Sequence, residues 1–101
     1  MAKNVSGRTS SRFRKIVCDR AVTAMDKIEK GRVSLHRGRT KAAINHWKSA
    51  FRDFQWILLN VIQRRILHGK RIDLSVERAV RRLTNQLSNF GRGLVSFRRS
   101  A

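Results

Sequence analysis

From Thr40 to His68 the chain runs without a glycine or a proline, and its large apolar residues fall on one helical line. Ile44, Trp47, Phe51, Phe54, Leu58 and Val61 are spaced 3, 4, 3, 4 and 3. That is the repeat of one face of an α-helix, and it does not fit the two-residue alternation of a strand. Thr40 can accept from the free N–H groups of a first turn, and Gly69 suits the left-handed residue that ends a helix. At 1.5 Å per residue the helix is roughly 40 Å long. On a second line of the same helix stand Lys41, Asn45, Lys48 and Arg52, spaced 4, 3 and 4. The sequence therefore predicts a two-faced helix, one side for a core or a dimer and the other for a polyanion.

The flanking segments are read around that helix. Residues 1–10 are polar, basic and aperiodic, and are expected as a flexible basic arm in which Lys3 and Arg8 can reach phosphate. Residues 11–101 are expected as one helical domain. Ser11 is the candidate N-cap of a first helix that ends near Gly31, with Phe13, Val17, Ala21, Ala24 and Ile28 as its stripe and Ile16 and Met25 beside it. Asp19, Asp26 and Glu29 lie on this helix, half of the six acids in the chain, so it is the least suited to meet an anion. Gly31 to Arg39 is read as a connector. Between Lys30 and Arg52 there are seven Lys or Arg and no acid, the sharpest local charge signal in the chain. Lys70 and Arg71 form a basic turn, and Asp73 or Ser75 caps a third helix with Glu77 in its first turn. There Val76, Val80, Leu83, Leu87, Phe90, Leu94 and Phe97 form a heptad-like seam that asks for a helical partner. Gly91 and Gly93 are expected to stop or fray that helix near Asn89. The fold class is all-α: three helices, the central one long, expected as a dimeric helical bundle because so short a chain buries a limited core alone.

Charge sets the choice of partner. Lys and Arg number 24 against six acids, a net charge of +18, and such a field opposes compaction unless an anion binds. Arg predominates, and its planar fork matches phosphate. A hydrophobic content of 41% argues against a wholly disordered tail. Cys18 is the lone cysteine, so no internal disulfide forms, and it is read as a small packed side chain. MAKNVSGRTSSRFRK lacks an apolar leader core, so no secretory signal is expected. The stretch from Phe54 to Leu67 is broken by Gln55, Asn60, Gln63, Arg64 and Arg65, too short and polar to span a bilayer. No phosphate-cradling glycine loop, CxxC, HExxH or GxSxG occurs. Asp53, Asp73 and Glu77 read as charge partners and caps rather than as an acid–base pair. His36, His46 and His68 share no metal-ligand spacing. Neither catalysis nor a metal or other cofactor is expected. Trp56 lies off the aromatic stripe; it is read as packing on the first helix or a second subunit, the alternative being to stack on an exposed base.

No zinc finger, KH loop, RNP motif or basic zipper is present. Long basic helices with few base-reading features suit recognition of backbone and shape, the way double-stranded RNA is read. The order of a short lead helix, a long central helix carrying HWKSAFRDFQWILLNVIQRRI, and a third helix after a basic turn resembles the nodaviral suppressors of RNA silencing. The resemblance covers about Ser11 to Leu87 and rests on pattern. It implies a small all-α homodimeric viral protein in the host-cell cytoplasm that coats double-stranded RNA and shields it from silencing nucleases. The expected RNA contacts are Arg39, Lys41, Lys48, Arg52, Arg64, Arg65, Lys70, Arg71, Arg78 and Arg82. More loosely, length, charge and the tail ERAVRRLTNQLSNFGRGLVSFRRSA resemble a flavivirus capsid protein, which implies condensation of genomic RNA. A third class is a membrane-active or partner-binding protein that exposes Phe54 to Leu67.

Overall fold

The computed structural model describes the backbone of residues 2–67, 69 and 72–100 and the side chains of 12–66 and 72–96. Three helices follow one another: α1 (Ala2–His36), α2 (Thr40–Leu67) and α3 (Leu74–Ser100). The chain is all-α. Ion pairs and packing fix the topology as up-down-up. Arg14 near the start of the α1 core reaches Asp73 at the start of α3, whereas Arg64 at the end of α2 lies over Phe13. The bundle is elongated, 60 × 20 × 17 Å, and no described helix is long and apolar enough to cross a membrane.

α1 extends beyond the expected span at both ends. Residues 2–10 are helical rather than an irregular arm, and the helix passes through Gly31 to His36. Gly31 is a packing glycine, not a stop: a Cβ there would lie 2.6 Å from Phe90 Cε2 and 3.3 Å from His46 Cβ, so its bare backbone is where all three helices meet. The true stop is Gly38, at φ 75°. Its N–H donates to Leu35 O at 3.0 Å and the Arg39 N–H donates to Ser34 O at 2.8 Å, the paired bonds of a Schellman end. The connector is thus three residues, not nine. The Arg39 carbonyl accepts from the Ala43 N–H at 3.0 Å, so Arg39 is the half-in residue and Thr40 the first helical one. At α3 the Asp73 carboxylate accepts from the Ser75 N–H at 2.9 Å and the Ser75 hydroxyl at 2.8 Å, which caps the helix. α3 is continuous to Ser100 with no break at Asn89.

The expected stripes of α1 and α3 are buried: Val17, Ala21, Ala24 and Ile28 on one, Val76, Leu83, Leu87, Phe90 and Leu94 on the other. Ile16, expected beside the α1 stripe, is instead exposed. The α3 seam packs on α1 and α2 of its own chain. The need for a helical partner, from which a dimer was expected, is met within one chain as far as Leu94; the Phe97 side chain lies outside the described residues.

α2 differs most from expectation. Its deepest residues are Ala43, Ala50, Asp53 and Ile57, while the aromatic stripe and Leu58 are only half-buried. Small residues decide this. Ala21 and Ala24 on α1 and Ala43 and Ala50 on α2 let those two helices pack closely, since interaxial distance follows side-chain size. The aromatics are left at the α2–α3 border. Asp53 is the one buried charge among the described residues. It accepts from Lys27 Nζ at 2.7 Å and from Arg20 Nη1 at 3.3 Å, both on α1. Trp56 packs against α1 as one reading expected, with the Arg20 guanidinium 4.3 Å above its ring.

Two expectations follow. Asp53→Ala removes bonds to charged donors but leaves two half-exposed cations free to hydrate, so unfolding free energy should fall by about 1.5–3 kcal/mol, read as a lower urea midpoint at unchanged slope. The glycines should split. Gly93 is helical with open space around its Cβ position, and Gly93→Ala should stabilise by about 0.5–1 kcal/mol. Gly31→Ala drives a methyl into the Phe90 ring and should destabilise by about 1–3 kcal/mol.

Candidate nucleic-acid interface

The bundle separates held cations from unheld ones. On α1, Arg14 is paired with Asp73 at 3.4 Å, Arg20 and Lys27 with Asp53, and Arg32 with Glu29 at 3.7 Å and with Gln86 Oε1 at 2.7 Å. The exposed acids Asp19, Asp26 and Glu29 are all on this helix. On α2 the single acid is turned inward, so from Lys41 to Ile66 no carboxylate reaches solvent. On α3 the only acid is Glu77 in the first turn, 3.9 Å from Arg81.

Lys41, Lys48 and Arg52 stand exposed on one ridge of α2, as the spacing predicted, and no ion pair is made by them among the described residues. The ridge extends ~16 Å over those three and then turns apolar through Leu59, Ile62 and Ile66, which are 61%, 48% and 73% exposed. Arg78 and Arg82 are exposed on the outer face of α3, and by helical position Arg92 shares that face. Arg92, which lies in the acid-free run after Glu77, is not among the ten expected contacts. Arg39 is exposed in the α1–α2 turn. Arg65 sits apart from the ridge, in a concavity between α2 and α3 with Ile72, Glu77 and Arg81. Arg64 is turned toward α1: its guanidinium lies 4.3 Å above the Phe13 ring and its Nη2 is buried. Lys70 and Arg71 lie outside the described residues.

Between α2 and α3, away from α1, runs an open groove of about 820 Å³. Ile44, Trp47, Phe51 and Phe54 form one wall and Leu87, Leu94 and Val95 the other. Trp47 is fixed in place. Its Nε1 donates to the Leu87 carbonyl at 3.0 Å, and the ring fits because Gly91 has no side chain: a Cβ there would be 3.2 Å from Nε1. Phe51 stacks on Trp47 at 5.2 Å and 16°, and Phe54 follows at 6.2 Å. The sequence reading placed these rings in the core and so did not identify a groove. Among the described residues no cluster of His, Cys, Asp or Glu is placed to hold a metal ion.

Fold and surface define a small three-helix bundle with one acid-compensated helix and two cationic ridges. No known protein family, curated protein or solved structure matches the chain.

The Asp73 cap has a pH dependence of known sign. The hydrogen bond from the Ser75 N–H, then that from its hydroxyl and the nearby Arg14, hold the Asp73 carboxyl below its ordinary value of 3.8. A depressed carboxyl stabilises the fold above its unfolded pKa, and the benefit is lost as pH falls through the folded value. Acidification below about pH 4 should therefore fray the first turn of α3, seen as faster amide exchange at Ser75 and Glu77. Asp73→Ala, which removes the acceptor, should show that fraying already at neutral pH.

Proposed function

We propose that the protein binds double-stranded RNA by charge and shape, without catalysis, and shields the duplex from nucleases. The observation that carries this reading is the pair of ridges, Lys41, Lys48 and Arg52 on α2 and Arg78, Arg82 and Arg92 on α3, from which exposed acid is absent beyond Glu77. Rigid helices hold these cations in rows, which suits phosphates repeated at fixed intervals. Recognition by backbone and shape suits an A-form duplex, whose deep major groove is too narrow for side chains to read. Protection of a duplex from nucleases, as a viral suppressor of RNA silencing provides it, follows by steric cover. A homodimer is not needed to bury the α3 seam as far as Leu94. The row Leu59, Ile62, Ile66 favours a second reading, a capsid-type protein that condenses RNA at a membrane surface. Condensation of single strands without duplex preference, together with flotation on anionic liposomes, would select it.

Six phosphate contacts should give a slope of log affinity against log salt near roughly −5. The combined change Lys41→Gln, Lys48→Gln, Arg52→Gln should leave helix content and melting nearly unchanged, since exposed substitutions stay within about 0.5 kcal/mol each. It should flatten the slope by about three units and weaken binding to all duplex sequences alike. A gel-shift series with duplex RNA, duplex DNA and single strands reads all of this. Unchanged affinity in that variant, with binding abolished by Arg78→Gln and Arg82→Gln, would move the contacts to α3; salt-independent affinity would end the reading.

A further inference from the structure

We propose that the α2–α3 groove is the docking site for an acidic amphipathic α-helix of a protein partner. The site is preformed. Trp47 is pinned to the Leu87 carbonyl and Phe51 is stacked on it, yet both rings remain half-exposed. Aromatic anchors held in one rotamer lose little freedom on binding, which is the usual economy of a built recognition surface. The opposite wall includes Val95, 53% exposed. From Ile44 to Phe54 the aromatic wall runs ~15 Å, about three turns of a facing helix, so anchors at i, i+4 and i+7, which span about 10 Å, fit within it. The volume of about 820 Å³ fits a row of such side chains.

Charge selects the occupant. Arg92 lines the groove, the Lys41–Arg52 ridge borders it on the α2 side, and no residue lining it is acidic. A helix with an apolar midline and acidic flanks is complementary to that arrangement. The chain's own described surface offers no such helix. The exposed face of α1 is mixed, with Arg12, Lys15 and Lys30 beside Asp19, Asp26 and Glu29, and it places Asp19 and Asp26 on its midline, which would drive carboxylates onto the aromatic floor. The Leu59–Ile62–Ile66 row is apolar but has Arg65 beside it and no acid. Among the described residues a second copy therefore offers no helix face whose charge matches the groove. Phosphate gains nothing from apolar walls, so a nucleic acid resting on the two ridges spans the groove without filling it. A helix seated between the ridges would stand where a duplex lies; this exclusion, unlike the docking itself, rests on the RNA reading.

The test uses the full chain and a labelled helical peptide of about 18 residues, with Leu at i, i+4 and i+7 and Glu on both flanks. A scramble of the same composition keeps the charge and loses the stripe. Fluorescence anisotropy should give the striped peptide about tenfold or more tighter binding than the scramble, and it should shift the Trp47 indole N–H in an NMR spectrum more than that of Trp56. Val95→Glu in the groove should weaken the striped peptide about tenfold, whereas Val22→Glu, the same charge change on an exposed α1 site, should not. Circular dichroism of both variants controls for folding. Equal binding of peptide and scramble would reduce the effect to net charge and overturn the proposal. So would equal effects of the two glutamates, a Trp47 shift produced by duplex RNA instead of peptide, or a protein dimer that is broken by Val95→Glu and not by peptide.

Discussion

Asp53 is the residue on which the rest of this bundle is hung. In a chain with 24 cations it is the one carboxylate placed inside, and it takes Lys27 at 2.7 Å and Arg20 at 3.3 Å from the facing helix. Lys27 and Arg20 stand two turns apart on α1, so a single acid bonding both fixes the axial register of α2 against α1. The alanines around it permit the close approach that such short bonds require. Arg20 then extends the link to Trp56 through its guanidinium face. Buried ion pairs are often no more stabilising than apolar residues of like volume; their value here lies in specifying which of several helical registers is adopted.

The same placement shapes the surface. Drawing the only acid of α2 into the interior removes it from the solvent face, so one contact both sets the register and leaves the outer ridge purely cationic. The exposed acids are confined to α1 and the first turn of α3. α1 and α2 share the most extensive of the three helix contacts, and a groove opens between α2 and α3 where the largest side chains are. Two glycines finish the geometry: Gly31 admits the Phe90 ring against α1, and Gly91 admits the Trp47 indole against α3.

Element type was legible in the sequence because periodicity at 3 and 4 residues is a strong signal, and most of the α1 and α3 stripe residues are buried, Phe13 and Val80 being half-buried. What misled was size and composition. Gly31, Gly91 and Gly93 read as breakers because an isolated helix loses about 1 kcal/mol at each; in the bundle, packing on Gly31 and Gly91 outweighs that loss. The α2 stripe read as core because its residues are large, yet the tightest interface is built from alanines, which carry little weight in any hydrophobic pattern. Of the basic residues, the α2 ridge was recoverable from spacing, while Arg64 could not be told from its neighbour Arg65. Whether a guanidinium lies over Phe13 or faces solvent depends on an α1 residue some fifty positions away, and no local pattern carries that information.

These features explain how a chain of net charge +18 keeps a compact fold. Self-repulsion acts on the folded state in proportion to how closely like charges are held. On α1, where helix packing would crowd them most, Arg14, Arg20, Lys27 and Arg32 are each paired. The cations that make no ion pair among the described residues, on the two ridges and also at Arg12, Lys15 and Lys30 of α1, face solvent, where water screens them and the Debye length of about 8 Å at physiological salt limits their mutual reach. Their remaining repulsion is a cost of folding that any bound polyanion lifts. A ligand that binds only the folded state stabilises it further by mass action. On the RNA reading proposed above, folding and duplex binding would be linked through the same six side chains. The cost is tolerable because the α1–α2 interface, with Asp53 at its centre, holds the fold without help from the cationic face.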